Sequence, residues 1–136
     1  MKLKDSSETG FAGLSRFPHN GHRAEPRDIW KARRFIEEHA NEHLSLGRVA
    51  SDVGINSTYL SEKFKQVTGT KFVDYVARTR FEKARELLDD VDLRISEIAF
   101  TVGFQSLSQF NRVFRKLSGK SPSQYRAMNL RRRKRR

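Results

Sequence analysis

Apolar residues recur at helical spacing through most of the chain after residue 27. Ile29, Ala32, Ile36 and Ala40 form one stripe, with Trp30 and Phe35 at its edges, and predict a helix over 28–44. Val73, Ala77, Phe81, Ala84 and Leu88 form another and predict a longer helix over 71–88, which would span about 27 Å at 1.5 Å per residue. Farther on, Ile95, Ile98, Ala99 and Val102 share a face that must stop at Gly103, where glycine takes the left-handed conformation cheaply. Phe104 then plugs the corner, and Ser106 is placed to cap the next helix. In that helix Leu107, Phe110, Phe114 and Leu117 fall on one side, while Ser108, Gln109, Arg112, Arg115 and Lys116 fall on the other. Gly119 ends it, and Ser121-Pro122 opens another with a cap and a proline at the first helical position.

Much of this pattern occurs twice. Val49, Ala50, Val53, Gly54 and Ile55 match Ile98, Ala99, Val102, Gly103 and Phe104 at an offset of 49, read from the numbering. Leu60, Phe64, Lys65, Gly69 and Tyr75 match Phe110, Phe114, Arg115, Gly119 and Tyr125 at an offset of 50, so the second copy carries one extra residue between Gly103 and Phe110. In the first copy Ser45 caps a short helix over 46–53, Gly54-Ile55 makes the turn, and Asn56 caps a helix over 57–67. Leu60, Phe64 and Val67 point inward there; Thr58, Ser61, Glu62 and Lys65 point away. A helix with an apolar back and a polar front, held after a glycine turn, has the build of a helix-turn-helix reader. A duplicated helical unit with no common task is the plain alternative, but the polar faces fall on equivalent helices in both copies. The expected fold is all-α: two helix-turn-helix subdomains of about three helices each, joined by one long helix. The expected division is a flexible arm or linker over 1–27, a first unit over 28–70, the joining helix over 71–88, a second unit over 93–128 and a basic tail over 129–136.

Charge sharpens the picture. The 136 residues carry a formal net charge of +12. Residues 28–130 hold 17 basic and 13 acidic side chains, a net of +4, so most of the excess lies elsewhere. From Ile98 to the end there are eleven Lys and Arg and no Asp or Glu, a one-sided distribution suited to a phosphate backbone. Along the joining helix, Arg78, Arg80, Lys83 and Arg85 read as a solvated face more than as phosphate contacts, and Asp89, Asp90 and Asp92 turn the following loop away from DNA. The final RRRKRR run is read either as a flexible phosphate clamp or as a disordered tail; six like charges are not expected to fold alone.

Other chemistry finds little support. With no cysteine, disulfides, thiolate zinc sites and cysteine nucleophiles are excluded. No apolar run approaches a membrane span and the N-terminus lacks an apolar signal core, so a cytosolic, nucleoid-associated protein with no membrane partner is expected. His39, Glu42 and His43 match the H-x-x-E-H metalloprotease pattern, and His19 and His22 stand as H-N-G-H in the arm. Neither has the further ligands or cleft that a metal enzyme needs, so no metal or cofactor is expected and the helix end is read as solvated. A basic module for RNA or an acidic protein is the second reading. Single-strand readers expose aromatics for stacking, whereas Phe64, Phe104, Phe110 and Phe114 fall on core faces here.

The second unit, through Ile98-Ala99, Val102-Gly103-Phe104, Phe110, Phe114-Arg115-Lys116, Gly119, Ser121-Pro122 and Tyr125-Arg126, resembles the DNA-binding domain of the AraC/XylS family of bacterial transcription regulators. The resemblance implies two helix-turn-helix units that read neighbouring major-groove segments of double-stranded DNA, an activator role and a contact with RNA polymerase. It also implies a first unit that often reads the better-defined site. Many members carry a separate ligand-sensing or dimerisation domain; the loop-like first 27 residues would suit a linker to one, and the domain by itself is expected to be monomeric. Where the family usually has a small polar cap before the helix at Ile95, this chain has Arg94, which predicts a weaker helix start. Base readout is assigned to Thr58, Ser61 and Glu62 in the first unit and to Ser108, Gln109 and Arg112 in the second. A salt bridge is the alternative role for Glu62. Lys65, Asn111, Arg115 and Lys116 are assigned to the DNA backbone.

Binding should fall steeply with salt. About six phosphate contacts give a log–log slope near −5, and a salt titration with a slope near zero would exclude this mode.

Overall fold

The computed structural model describes residues 25–134, which hold seven helices and no strand. The arm over 1–24, with its H-N-G-H motif, and the last two arginines lie outside the described residues. The helices are α1 (Arg27–His39), α2 (Leu46–Val53), α3 (Ser57–Thr68), α4 (Phe72–Leu87), α5 (Ile95–Thr101), α6 (Leu107–Ser118) and α7 (Pro122–Lys134). The described residues divide into two compact units, 25–38 with 44–76, and 39–43 with 77–134.

The first unit closes around Ile29, Ala32, Ile36, Val49, Ala50, Leu60, Phe64, Phe72, Tyr75 and Val76. The Phe64 ring meets Tyr75 edge-on at 5.0 Å and Phe72 at 6.1 Å. Beside this core lies a buried cation that its sequence position does not announce. Arg33 donates from Nε to the Tyr75 hydroxyl at 3.1 Å and from Nη1 to Glu25 Oε1 at 2.7 Å. Burial pushes the Tyr75 hydroxyl well above the usual phenol range, so it remains protonated at neutral pH.

In the second unit Phe81, Ala84, Leu88, Ile98, Ala99, Val102, Phe104, Phe110 and Phe114 form the core, with Tyr125 packed against it. Helix α5 starts at Arg94 with half of a capping box: Glu97 Oε1 accepts the Arg94 backbone N–H at 2.7 Å. The arginine side chain has no acceptor to offer in return. Arginines also close two helix ends. Arg80 donates to the carbonyls of Ala40 and Glu42 at 2.8 and 2.9 Å, and Arg126 to those of Leu88, Asp90 and Leu93 at 2.8–3.1 Å.

Four expectations change. The first helix ends at His39 instead of continuing to residue 44, because the carbonyls beyond it bond to Arg80 from another helix. Val73 is 66% exposed; the first turns of α4 bury Phe72, Tyr75 and Val76 instead. A single stripe fails along α4 because its two halves serve different cores. Leu107 is 39% exposed, since it occupies the first position of α6, ahead of the buried Phe110 and Phe114. Finally, Arg131 to Lys134 continue α7, with Arg133 Nη2 3.4 Å from Asp89 Oδ2. The costly nucleation step is already met near Ser121 and Pro122, and positive charge is favoured at a helix C-terminus.

Two comparisons test this packing. Phe110 is fully buried, so Phe110→Ala should cost about 3–5 kcal/mol, while Gln109→Ala on the same helix should cost about 1 kcal/mol or less. Equal melting temperatures would refute the assigned face. Gly54 and Gly103 both have positive φ, 87° and 111°, but an added Cβ meets nothing within 4 Å at Gly54 and would lie 2.2 Å from the Ala40 carbonyl oxygen at Gly103. Gly54→Ala should cost about 1–2 kcal/mol, and Gly103→Ala about 1–3 kcal/mol more. Thermal melts showing Gly54→Ala as the worse variant would overturn the contact.

Candidate nucleic-acid interface

Each unit presents one helix whose start is fixed by a side-chain cap. In the first, Asn56 Oδ1 accepts the Tyr59 N–H at 2.7 Å and sets the first turn of α3. At its far end Thr68 Oγ1 donates to the Phe64 carbonyl at 2.7 Å. Leu60 and Phe64 are buried, which turns Thr58, Ser61, Glu62 and Lys65 to the solvent side, where all four are exposed. Glu62 makes no ion pair among the described residues, so the salt-bridge alternative has no partner. Ser61, Glu62 and Lys65 line an open groove of about 870 Å³ whose apolar wall includes Leu44, Leu46, Phe72 and Val73.

One residue on this face was overlooked. Tyr59 is 40% exposed, and the nearby Asp28 carboxylate raises its hydroxyl above the usual phenol value. The signal was available: the offset of 50 pairs Tyr59 with Gln109, a residue already assigned to readout.

In the second unit Ser106 Oγ accepts the Gln109 N–H at 3.0 Å, and Ser118 Oγ donates to the Phe114 carbonyl at 2.7 Å. The caps of α6 thus repeat those of α3. Ser108, Asn111, Arg112, Arg115 and Lys116 are exposed, opposite the buried Phe110 and Phe114. Arg112, Arg115 and Lys116 make no ion pair among the described residues, so three cations stand uncompensated on one helix. Gln109 is half-buried, and its Oε1 accepts the backbone N–H of Gln105 at 3.2 Å. Sequence reasoning missed this bond, although Ser106-Leu107-Ser108-Gln109 is an S-x-x-Q capping pattern.

The remaining candidates are structural. Arg80 caps carbonyls, and Arg85 pairs with Glu82 at 2.9 Å while lying over the Phe81 ring. The H-x-x-E-H residues do not share a helix face, because α1 ends at His39. His39 Nδ1 meets Glu42 Oε2 at 2.9 Å, and His43 Nδ1 meets Gln105 Nε2 at 3.1 Å. Among the described residues no group of three His, Cys, Asp or Glu could hold a metal ion, and no helix is long and apolar enough to cross a membrane.

A family model described as a helix-turn-helix domain matches residues 49–128. The melibiose operon regulatory protein of Escherichia coli K12 is 37% identical over 99 residues, covering 73% of this chain and 33% of that protein. The regulatory protein PocR of Salmonella typhimurium is 41% identical over 96 residues, covering 71% of this chain and 32% of that protein. The chain therefore spans about a third of these relatives. Among solved structures, the C-terminal domain of AraT, a response regulator from Geobacillus stearothermophilus, superposes with a TM-score of 0.74 at 36% identity, covering 78% of this chain and 88% of that one. The DNA-binding domain of the global transcriptional factor AdpA, solved with a target DNA, gives 0.74 at 25% identity, covering 78% and 96%. With its duplicated, capped helices and its match over residues 49–128, the chain belongs to the AraC/XylS family of helix-turn-helix transcription regulators, DNA-binding proteins and not enzymes.

Proposed function

We propose that the chain reads a specific duplex sequence by placing α3 and α6 in two adjacent major-groove segments, and that it activates transcription from there in contact with RNA polymerase. The observation that carries this reading is the pair of capped helices with buried apolar backs and exposed polar fronts. The solved complex of the AdpA domain with its target DNA supports it. Both readers lie in one chain and α4 contributes to both cores, so one molecule can occupy two half-sites. Its operator need not be palindromic.

Thr58, Ser61 and Glu62 read bases in the first half-site, with Lys65 on the backbone. Ser108, Gln109 and Arg112 read the second, with Asn111, Arg115 and Lys116 on phosphates. The two readers differ in strength. Arginine bonds guanine O6 and N7 in bidentate fashion, which discriminates by about 1–3 kcal/mol, whereas a lone hydroxyl contact gives less. Glu62 accepts from cytosine N4 but repels phosphate. The second half-site is therefore the more sharply defined, against the family's usual order.

Selection from a fully randomised duplex library, repeated with Arg112→Ala, tests this division. The expected result is loss of one guanine preference in the second half-site. A uniform drop in affinity with unchanged base preferences would move Arg112 to the backbone and return specificity to the first unit.

A further inference from the structure

The two turns differ by one residue. In the first unit Gly54 and Ile55 lead straight to the capping Asn56; in the second Gly103 and Phe104 are followed by Gln105 before the capping Ser106. The backbone bonds on either side are equivalent: Ile55 N–H reaches the Ala50 carbonyl at 3.0 Å and Phe104 N–H reaches that of Ala99 at 3.0 Å. Gln105 is thus the extra residue of the second copy. It sits at the mouth of α6 with its backbone N–H directed to Gln109 Oε1 at 3.2 Å and its side chain against His43 Nδ1 at 3.1 Å.

This bond settles how the Gln109 amide is oriented. A backbone N–H only donates, so the atom facing it must be the carbonyl oxygen and not the NH2 group. The Nε2 end has no partner among the described residues and is the half of the amide left for a ligand. Glutamine ordinarily reads adenine with both ends at once, accepting from N6 and donating to N7. An amide whose oxygen already accepts the Gln105 N–H keeps its remaining lone pair at the turn, so the half it turns outward presents two N–H donors.

Resting on the reading of α6 as a major-groove helix, we propose that the inserted Gln105 locks Gln109 into a donor-only reader that selects a keto base in the second half-site, guanine through O6 and N7 or thymine through O4, and rejects adenine. The same letters serve differently at the next helix. There Ser121 and Gln124 bond each other's backbone N–H groups at 3.2 and 3.0 Å in a closed capping box. At α6 the glutamine reaches past the cap to the inserted residue, which fixes its amide plane at the helix mouth.

The test compares sites selected from a random duplex library by the wild type, Gln109→Ala and Gln109→Glu, with melting temperatures for all three. Glutamate keeps an oxygen for the Gln105 N–H but has no donor for a base. The wild type should show about tenfold enrichment of guanine or thymine at one position. Gln109→Ala should lose it. Gln109→Glu should lose it too, while melting no lower than the wild type. Adenine at the responding position would overturn the proposal, as would a guanine or thymine preference that survives in Gln109→Glu. Unchanged base preferences in both variants would make Gln109 a cap alone, which also overturns it. Failure of the wild type to enrich any sequence would instead defeat the duplex-reading function itself.

Discussion

Phe114 stands at the middle of the second core, its ring 4.8 Å from Phe81, 5.6 Å from Phe110 and 5.3 Å from Tyr125, each contact edge-on. A lobe of this size has little interior, and aliphatic side chains alone would leave it marginal. Aromatic rings bury more area per residue, and their edge-to-face contacts add directional preference. That preference matters for function, because Phe110 and Phe114 come from α6 itself. Their rings cannot rotate away without breaking the cluster, so the opposite face of the helix is held toward solvent. The first lobe solves the same problem with Phe64, Phe72 and Tyr75.

Charge is arranged around this constraint with some economy. Arginines that could have met phosphate are used inside the protein: Arg33 between Tyr75 and Glu25, Arg80 and Arg126 on carbonyls at helix ends. Bonds to a guanidinium count for more than neutral ones, and a long side chain can reach carbonyls that no local cap satisfies. The cations of α6 are treated in the opposite way and left without acidic neighbours. The net charge of +12 therefore overstates what the domain can offer to DNA, and the location of uncompensated cations is the more useful quantity.

Much of this was legible in the residues because it is local. The caps at Ser45, Asn56 and Ser106 need only a side chain three residues from its target. The stripe from Ile29 to Ala40 needs only helical spacing, and all four of its members are fully buried. Misreadings arose where the deciding partner is distant. The end of α1 depends on Arg80, about forty residues away in the chain. The exposure of Val73 follows from α4 changing cores partway along, which no single period can express. Helicity of Arg131 to Lys134 comes from the helix already formed before them. The Gln109 bond differs: its S-x-x-Q pattern is local, but the same side chain also lies on the polar side of the helix, and the pattern alone does not say which of the two it serves.

The paired helix ends carry a consequence for how the two halves compare. Ala40 and Leu88 each lie just past the end of a helix, α1 and α4, and in both cases an arginine gathers the loose carbonyls. Yet the two arginines do not correspond: Arg80 lies five residues after Tyr75, while Arg126 directly follows the equivalent Tyr125. The two halves meet the same requirement from different positions in the chain. Aligning the halves residue by residue pairs neither arginine with the other, although each fixes a helix terminus; what the halves share is the satisfied carbonyl, not the arginine.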